Sequence, residues 1–300
     1  MTKHDHHMSA AAAHLARLPP ARSEYAGTAI AMGTMHGKER QAAPAFAEEL
    51  GANVFAPAGI DTDQFGTFTA EVTRTLTPLA AATAKARLAM HIATVPYGLA
   101  SEASYTTWYG TIALHEEIMV FVDDIRMIQV VEGLNTPGAP GFAQLIDTAD
   151  QAVAAAVRFG FPQQGAAVKA KANNQIQVFG KGIIDPATLI AVSTAALRAS
   201  DSNQAWVEPD LRAHHNPSRR DVLAALARKL ARRLATPCPH CRCPGYGTVG
   251  VQPGLPCQDC EWPTSLIAAD IFGCPACEER TTVQRHPANA EPRYCPQCNP

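Results

Sequence analysis

The spacing of hydrophobic positions predicts alternating strands and helices in the first half of the chain. Short apolar runs bounded by glycine or proline are typical of buried strands, and longer alanine-rich segments with apolar residues every three or four positions are typical of helices. The predicted elements of this half are strands at 27–33, 53–57 and 97–105, helices at 37–51 and 76–93, and a hairpin over 117–133 that turns at Asp123–Arg126.

The same pattern continues to about residue 235. It predicts helices at 147–160 and 185–200, strands near 166–170 and 177–181, and a last helix at 216–234. A strand–helix alternation of this kind predicts an α/β fold, with a mixed sheet flanked by helices. We expect a disordered tail at 1–23, an α/β domain over 24–235 and a small C-terminal domain over 236–300.

The last predicted helix is amphipathic. Its leucines fall on one stripe, and several basic residues fall largely on the opposite side. A packed helix with a solvated basic face is one interpretation, and a face that contacts nucleic-acid phosphates is the other. The stripe comprises Leu223, Leu226, Leu230 and Leu234, and the basic side carries Arg228, Lys229 and Arg232.

Composition and charge exclude several classes of protein. The chain has 300 residues, 47% of them hydrophobic, and a formal net charge of −2, so it does not coat nucleic acid with its whole surface. Residues 212–233 hold seven basic and one acidic side chain, which concentrates the positive charge in one segment. No apolar stretch is long enough to span a membrane, and the N-terminus does not resemble a signal peptide. We therefore expect a cytoplasmic protein.

All nine cysteines lie in the last quarter of the chain. Eight of them form four Cys-x-x-Cys pairs, and such a pair lets both thiolates reach one tetrahedral ion. The ninth, Cys243, stands outside the pattern and is interpreted as a bystander. The pairs are Cys238 with Cys241, Cys257 with Cys260, Cys274 with Cys277, and Cys295 with Cys298.

We interpret the four pairs as two structural zinc sites in tandem zinc ribbons. A disulfide framework would need an oxidising compartment, and the segment has too few large apolar residues to fold without a metal. The pairs could combine in order or interleave, and two successive ribbons are the simpler expectation. Eight thiolates and two zinc ions add about four negative charges, which favours a structural or protein-docking role over binding to phosphates.

Polar clusters follow three of the predicted strands in the first half. The loop after the first strand contains a glycine and a lysine and enters a helix, a combination that suits an anion. The Asp-x-Asp segment after the second strand could supply carboxylates to Mg²⁺ or could form a capping turn. Glu102 occupies a strand-end position in the third strand as a candidate metal ligand or general base, with Lys85 in the preceding helix. The candidate residues are Thr34, His36, Lys38, Asp61, Asp63, Lys85 and Glu102.

A fourth cluster precedes the last helix. Its acidic, arginine and histidine side chains alternate, so an extended strand would place them on one face. The alternative is a salt-bridged surface strand in which Asn216 or Ser218 caps the following helix. The alternating residues are Glu208, Asp210, Arg212 and His214.

These segments, taken in order, resemble an uncharacterised bacterial family, a domain of unknown function. The resemblance covers residues ~25–300 and rests on the segments HGKER, DTDQFGTFTAEV, KAR, LASE and EPDLRAHHNPSR together with the Cys-x-x-Cys pairs. It supplies no activity.

The N-terminal part has a more distant resemblance to the inosine/xanthosine triphosphate pyrophosphatase superfamily. The loop from Thr34 to Lys38 resembles that superfamily's phosphate loop, and Lys85 lies in a similar alanine-rich helix. By this analogy Lys38 and Lys85 hold phosphates, and Glu102 holds a metal ion. This loop is one residue shorter, and His36 stands where the superfamily has Asn.

Two functions are the leading interpretations, and a third, in which the fourth cluster is the active centre of unrelated chemistry, also remains open. The first is a Mg²⁺-dependent hydrolase of a phosphorylated small molecule or nucleotide, with Arg212 joining the two lysines at the phosphates and His214 acting as acid or base. The second is a non-catalytic module whose zinc ribbons and helix 216–234 dock a nucleic acid or a protein partner.

Overall fold

The first half of the chain folds around a five-stranded mixed sheet in the order β2-β1-β3-β4-β5. The computed structural model describes residues 23–66, 75–108, 112–137 and 143–300. The first strand pairs in parallel with its two neighbours, whereas the third, fourth and fifth form an antiparallel meander. The strands are β1 Ala29–Met32, β2 Asn53–Phe55, β3 Tyr97–Trp108, β4 Ile112–Asp123 and β5 Ile128–Pro137.

Three helices cover this sheet: α1 Glu39–Leu50 and α5 Pro217–Ala235 on one face, and α2 Pro78–Ala93 on the other. Because side chains alternate between the faces of a strand, odd-numbered positions of β3 and β4 face α1 and α5, where Phe121 packs with Leu223. Even-numbered positions face α2, where Val120 packs with Ala86. Polar residues at the ends of β3 and β4 are therefore divided between two faces.

A second sheet follows, in the order β6-β9-β7-β8, with antiparallel pairing throughout. It has its own hydrophobic core, which includes Val168, Leu189 and Val207. The α/β class with flanking helices is thus confirmed, although the strands divide between two sheets rather than one. The elements are β6 Gln144–Ile146, α3 Gln151–Val157, β7 Ala166–Ala172, β8 Gln175–Ile183, α4 Pro186–Ala199 and β9 Ala205–Pro209.

The cysteine-rich segment is built on a third, three-stranded antiparallel meander. Its strands are β10 Gly247–Pro253, β11 Ile267–Gly273 and β12 Arg280–Gln284. The segment packs against the end of α5, because the Arg233 guanidinium donates to the Gly245 carbonyl at 3.0 Å and to Glu132 of β5 at 2.8 Å.

Helix α5 confirms the predicted leucine stripe, since Leu223, Leu226, Leu230 and Leu234 are all at most 1% exposed. Its basic side is not a free cationic face. Arg228 pairs with Glu48, Arg232 with Glu49, and Lys229 with Glu132, at 2.8–2.9 Å. Three glutamates of α1 and β5 therefore offset about half of the net positive charge that the sequence concentrates here.

The prediction of an extended strand through the fourth polar cluster is wrong beyond Pro209. β9 ends there, and Ala213–His215 form a short 3₁₀ turn before α5. The alternative capping role is confirmed, because Asn216 Oδ1 accepts the backbone N–H of Arg219 at 3.0 Å. The cap ends the extended backbone and starts the helix.

Two expectations lie outside the described residues: the tail at 1–22, and the end of the Asp-x-Asp segment at 67–68. Within the described part of the chain, no helix has the length and apolarity needed to cross a membrane.

Candidate functional site

The eight paired cysteines gather into two groups, and the pairs interleave. The first group consists of Cys238, Cys241, Cys274 and Cys277, and the second consists of Cys257, Cys260, Cys295 and Cys298. The simpler expectation of two successive ribbons is therefore wrong.

The meander explains the interleaving. Antiparallel strands reverse direction, so alternate connections lie at the same end of the sheet. The start of β10 pairs with the end of β11, Gly247 opposite Gly273, and the end of β11 pairs with the start of β12. The first and third cysteine pairs therefore meet at one end, and the second and fourth meet at the other.

The distances within each group fit a tetrahedral metal–thiolate site. A metal–sulfur bond of about 2.3 Å places neighbouring sulfurs of a tetrahedron about 3.8 Å apart. The Sγ atoms of Cys238 and Cys277 are 3.8 Å apart, and those of Cys257 and Cys298 are 3.9 Å apart. Both groups can thus hold a metal ion.

A separate polar site lies where β1 ends beside the longer β3. The last ladder contact of β1 is Met32 opposite Leu99, after which the loop 33–38 turns across the edge of β3. Lys38 enters this corner and is 7% exposed. Its ammonium donates to the Ser101 carbonyl at 2.9 Å and to the Ser101 hydroxyl at 3.0 Å, and Glu117 lies 3.9 Å away.

Lys85 and Glu102 meet on the opposite face of the same strand, at 2.5 Å, and both are buried. The approach of α2 to the end of β1 depends on Gly33, since a Cβ there would lie 2.2 Å from the Lys85 carbonyl oxygen. The predicted acid and both predicted lysines therefore converge on one short stretch of β3, with Lys38 above the sheet and Lys85 below it.

Sequence reasoning missed a buried network next to Lys38. Arg219 of α5 donates to both carboxylate oxygens of Glu117, at 2.8 and 3.1 Å, and His115 Nε2 lies 3.0 Å from Glu117 Oε2. Two signals were present. His115 and Glu117 alternate with the apolar Met119 on one face of β4, and Arg219 stands one helical turn before Leu223 on the buried stripe.

Histidines from the two sheets meet in front of this corner. His36 Nε2 lies 3.3 Å from Asp63 Oδ1, and the ring centroids of His36 and His214 are 4.9 Å apart. The ring centroids of His214 and His215 are 4.1 Å apart, with the two rings tilted by 50°. The loop after β1 and the turn after β9 thus meet at this corner, and we refer to their junction between the first and second sheets as the cleft, since junctions of this kind commonly hold small-molecule sites.

The second sheet contributes Arg212 to the cleft. Asp210 accepts from the Arg212 guanidinium at 2.6–3.1 Å and from the backbone N–H of Gly182 at 2.8 Å. Gly182 has φ of +69°, and a Cβ there would lie 2.5 Å from His215 Nε2. A glycine is therefore needed for the backbone to approach this histidine.

Three predicted site residues make contacts of the kind that a structural role requires. Glu208 pairs with Lys169 of the neighbouring strand, as in the salt-bridged alternative. Asp61 Oδ1 accepts the backbone N–H of Asp63 at 2.9 Å, which is the capping-turn alternative. Thr34 is buried, and its hydroxyl accepts the backbone N–H of His36 at 3.1 Å. In the described residues, only the cysteine groups bring three or more candidate metal-ligating side chains within 4.8 Å.

Burial sets the charge states in the cleft. Burial and the nearby Arg219 charge lower the pKa of Lys38 to about 8. Burial together with the neighbouring His215 and His36 lowers the pKa of His214 to about 4, and burial also lowers the pKa of His36. The imidazoles are therefore neutral at pH 7, and Lys38 is mostly protonated.

Fold and sites together define a mixed α/β protein with a lysine- and histidine-lined cleft and a C-terminal segment built on two four-cysteine groups. The chain belongs to the family described as Domain of unknown function (DUF6671), whose model matches residues 85–300. That match includes Lys85, Glu102, Arg212 and all eight paired cysteines, and it begins after the loop that carries Lys38. A comparison with curated proteins finds no match.

Proposed function

We propose that the protein is a Mg²⁺-dependent hydrolase of a phosphorylated small molecule, most concretely of a nucleoside triphosphate at a pyrophosphate linkage. The observation that carries the proposal is the state of Lys38. Its buried ammonium bonds to two neutral oxygens of Ser101, while the adjacent carboxylate of Glu117 is engaged by Arg219. A buried ammonium that shares its nearest carboxylate with an arginine favours an additional anionic ligand.

The surroundings support a phosphate rather than a carboxylate ligand. Burial lowers the pKa of His36, and the charges of Lys38 and Arg212 lower it further, so both cations act on the same part of the cleft. Two cations near one site suit a ligand with several negative oxygens. The resemblance to inosine/xanthosine triphosphate pyrophosphatases leads us to nucleoside triphosphates as the first substrates to test.

Few carboxylates are available to bind Mg²⁺ in the cleft, but this ion does not need many protein ligands. Mg²⁺ commonly binds through one or two carboxylates and takes its other ligands from water and substrate phosphates. Glu102 would be the principal protein ligand: it lies on the α2 side of β3 and would exchange its contact with Lys85 for the ion at the end of the strand. Asp61 and Asp63 would lie at the rim of the cleft. The bound ion would neutralise phosphate charge, while the neutral His214 is available to accept a proton from an attacking water.

The alternative of nucleic-acid docking through α5 is less well supported. Arg228, Lys229 and Arg232 each pair with a glutamate. Contacts with nucleic-acid phosphates would have to break these pairs, so the helix offers little free positive charge.

We also propose that both four-cysteine groups hold structural zinc, since four thiolates in a tetrahedron are a typical zinc site. All nine cysteines are unpaired as disulfides, which suits a reducing, cytoplasmic setting. Metal analysis of purified protein should give two zinc ions per chain, and one in Cys238→Ser. Two bound iron ions would contradict zinc.

The hydrolase proposal is tested by measuring release of phosphate and pyrophosphate from standard and deaminated nucleoside triphosphates, with and without Mg²⁺. The comparison uses wild type, Glu102→Gln and the control Glu116→Gln, whose exposed carboxylate lies on the neighbouring strand. We expect Mg²⁺-dependent release that is lost in Glu102→Gln and kept in the control. No release from any nucleotide by folded, metal-loaded protein would overturn the proposal.

A further inference from the structure

The most deeply buried charges of the cleft belong to Glu117 and Arg219, at 0 and 2% exposure. Burying an ion pair is costly, and replacing such a pair with apolar residues is often neutral or stabilising. Stability alone is therefore a weak reason for this pair. Its position next to Lys38 indicates a second role.

Glu117 is held in a single orientation. Arg219 binds both of its oxygens, and His115 contacts Oε2. Arg219 is itself fixed, because it donates to the Leu211 carbonyl at 2.7 Å. This leaves Oε1 at 3.9 Å from the Lys38 ammonium, which is close enough for strong attraction where water is excluded.

We propose that Glu117 is a positioning residue that keeps the Lys38 ammonium charged and directed into the cleft, with Arg219 limiting that effect. The inference rests on the proposed function for its biological meaning, because it describes how the anion-binding lysine is tuned. Its physical content concerns only Glu117, Arg219 and Lys38.

Charges from every neighbouring element act on Lys38. Glu117 of β4 and Glu102 of β3 stabilise the protonated amine, whereas burial, Arg219 of α5 and Lys85 of α2 oppose it. His115 contacts Glu117, and His36 of the same loop is largely neutral at pH 7. Burial and two cations lower the pKa of Lys38, and two carboxylates raise it. The resulting pKa of about 8 can therefore be shifted by a change at either Glu117 or Arg219.

The two single variants should shift this balance in opposite directions. Glu117→Gln removes an attractive charge and should lower the pKa of Lys38 by about one unit or more. Arg219→Gln removes a repulsive charge, frees Glu117 for Lys38, and should raise the pKa. A purely structural pair would instead give the same loss of order in both variants.

The measurement is the rate at which Lys38 is carbamylated by cyanate across a pH series, read by mass spectrometry of the full-length, metal-loaded protein. Cyanate reacts with the unprotonated amine, and the exposed Lys171 of the second sheet serves as the internal reference. At a fixed pH of about 6 or below, Lys38 should react roughly tenfold faster in Glu117→Gln, the equivalent of a decrease of one pKa unit. It should react more slowly in Arg219→Gln.

The matched control is Glu132→Gln. Glu132 is also a buried glutamate paired with an arginine of α5, but that arginine, Arg233, lies at the other end of the helix. Its replacement should leave the Lys38 profile unchanged. If Glu117→Gln does not fold, Arg219→Gln and the double variant Glu117→Gln/Arg219→Gln, which leaves neither charge unpaired, still test the proposal.

The inference is overturned if the Lys38 profile stays unchanged in the variants that fold, or shifts in the same direction in both single variants. Because carbamylation needs no substrate, this result is independent of nucleotide hydrolysis. A failed hydrolysis assay with shifted Lys38 profiles would remove the hydrolase and leave the positioning role intact.

Discussion

Burial is the largest cause of the lowered pKa values of Lys38, His36 and His214 in the cleft. Three site residues were predicted from the sequence because each is a charged residue next to apolar segments. Lys38 lies in a glycine-containing loop, Glu102 in a strand-end position and Lys85 in an alanine-rich helix. Glu117 and Arg219 were not predicted, because neither strand alternation nor helical spacing shows which buried charges pair across 102 residues. Pairing over that distance depends on how the helix crosses the sheet.

The histidines give a prediction for the dependence of stability on pH. The pKa of His214 is lowered from 6.5 to about 4 in the folded chain, so the unfolded state binds its proton first as the pH falls. The neutral imidazole therefore contributes fully above pH 6.5, and stability is lost as the pH falls towards 4. In thermal melts over this range, we expect a flatter decline for His214→Gln than for wild type. Equal slopes would contradict the lowered pKa.

Gly182 gives a second prediction for a single residue. Because its φ is +69° and a Cβ would collide with His215, Gly182→Ala should destabilise the fold and displace the histidine. Gly59 is the control, since it also has positive φ but has open space around it. Gly59→Ala should show the backbone effect alone. The melting temperature of Gly182→Ala should therefore fall below that of Gly59→Ala, and the difference measures the collision with His215. Equal melting temperatures for the two variants would argue against the collision.

Among the elements, the helices and most strands were predicted within a few residues, because their apolar spacing is regular. The division into two sheets was not predicted, since the pattern of one strand does not show which strand it pairs with. The sequence predicted that β9 would continue beyond Pro209, but the chain turns there. The cause is local, because Asn216 caps α5 and the backbone must turn before the cap. The interleaving of the cysteine pairs could have been predicted. Short strands between successive Cys-x-x-Cys pairs indicate an antiparallel meander, and a meander brings alternate pairs to the same end of the sheet.

Helix α5 gives a prediction at this scale. Leu230 is fully buried between the helix and the first sheet, so Leu230→Ala should lower the free energy of unfolding by about 2–5 kcal/mol. Leu79 of α2 is 43% exposed, and Leu79→Ala should cost much less. Chemical denaturation of both variants checks this, and similar losses would contradict the packing of α5.

In the whole molecule, α5 connects the cleft to the first cysteine group. Asn216 caps one end beside the cleft, and Thr236 at the other end accepts the backbone N–H groups of Gly245 and Tyr246 at 3.1 Å. Gly245 also lies against Val130 of β5. The first group is therefore attached to the α/β part, whereas the second lies at the far end of the meander.

This asymmetry predicts unequal effects of metal loss. Cys241→Ser and Cys260→Ser each remove one exposed cysteine, from the first and second groups respectively. Each should release one metal ion. Hydrogen exchange at the end of α5 and along β5 should accelerate in Cys241→Ser and stay close to wild type in Cys260→Ser. Equal acceleration in both would show that the first group is not selectively coupled to α5.

The central claim is that the cleft around Lys38 binds a phosphorylated ligand, and the most direct test is calorimetric titration of the metal-loaded protein with pyrophosphate and nucleoside triphosphates, in the presence of Mg²⁺. The variants are Lys38→Gln and the control Lys229→Gln, whose lysine lies on the outer side of α5. We predict saturable binding to wild type and the control, weakened at least about tenfold in Lys38→Gln, as expected for loss of a charge-assisted contact. Equal binding by Lys38→Gln and wild type, or no binding by folded wild type, would contradict the claim.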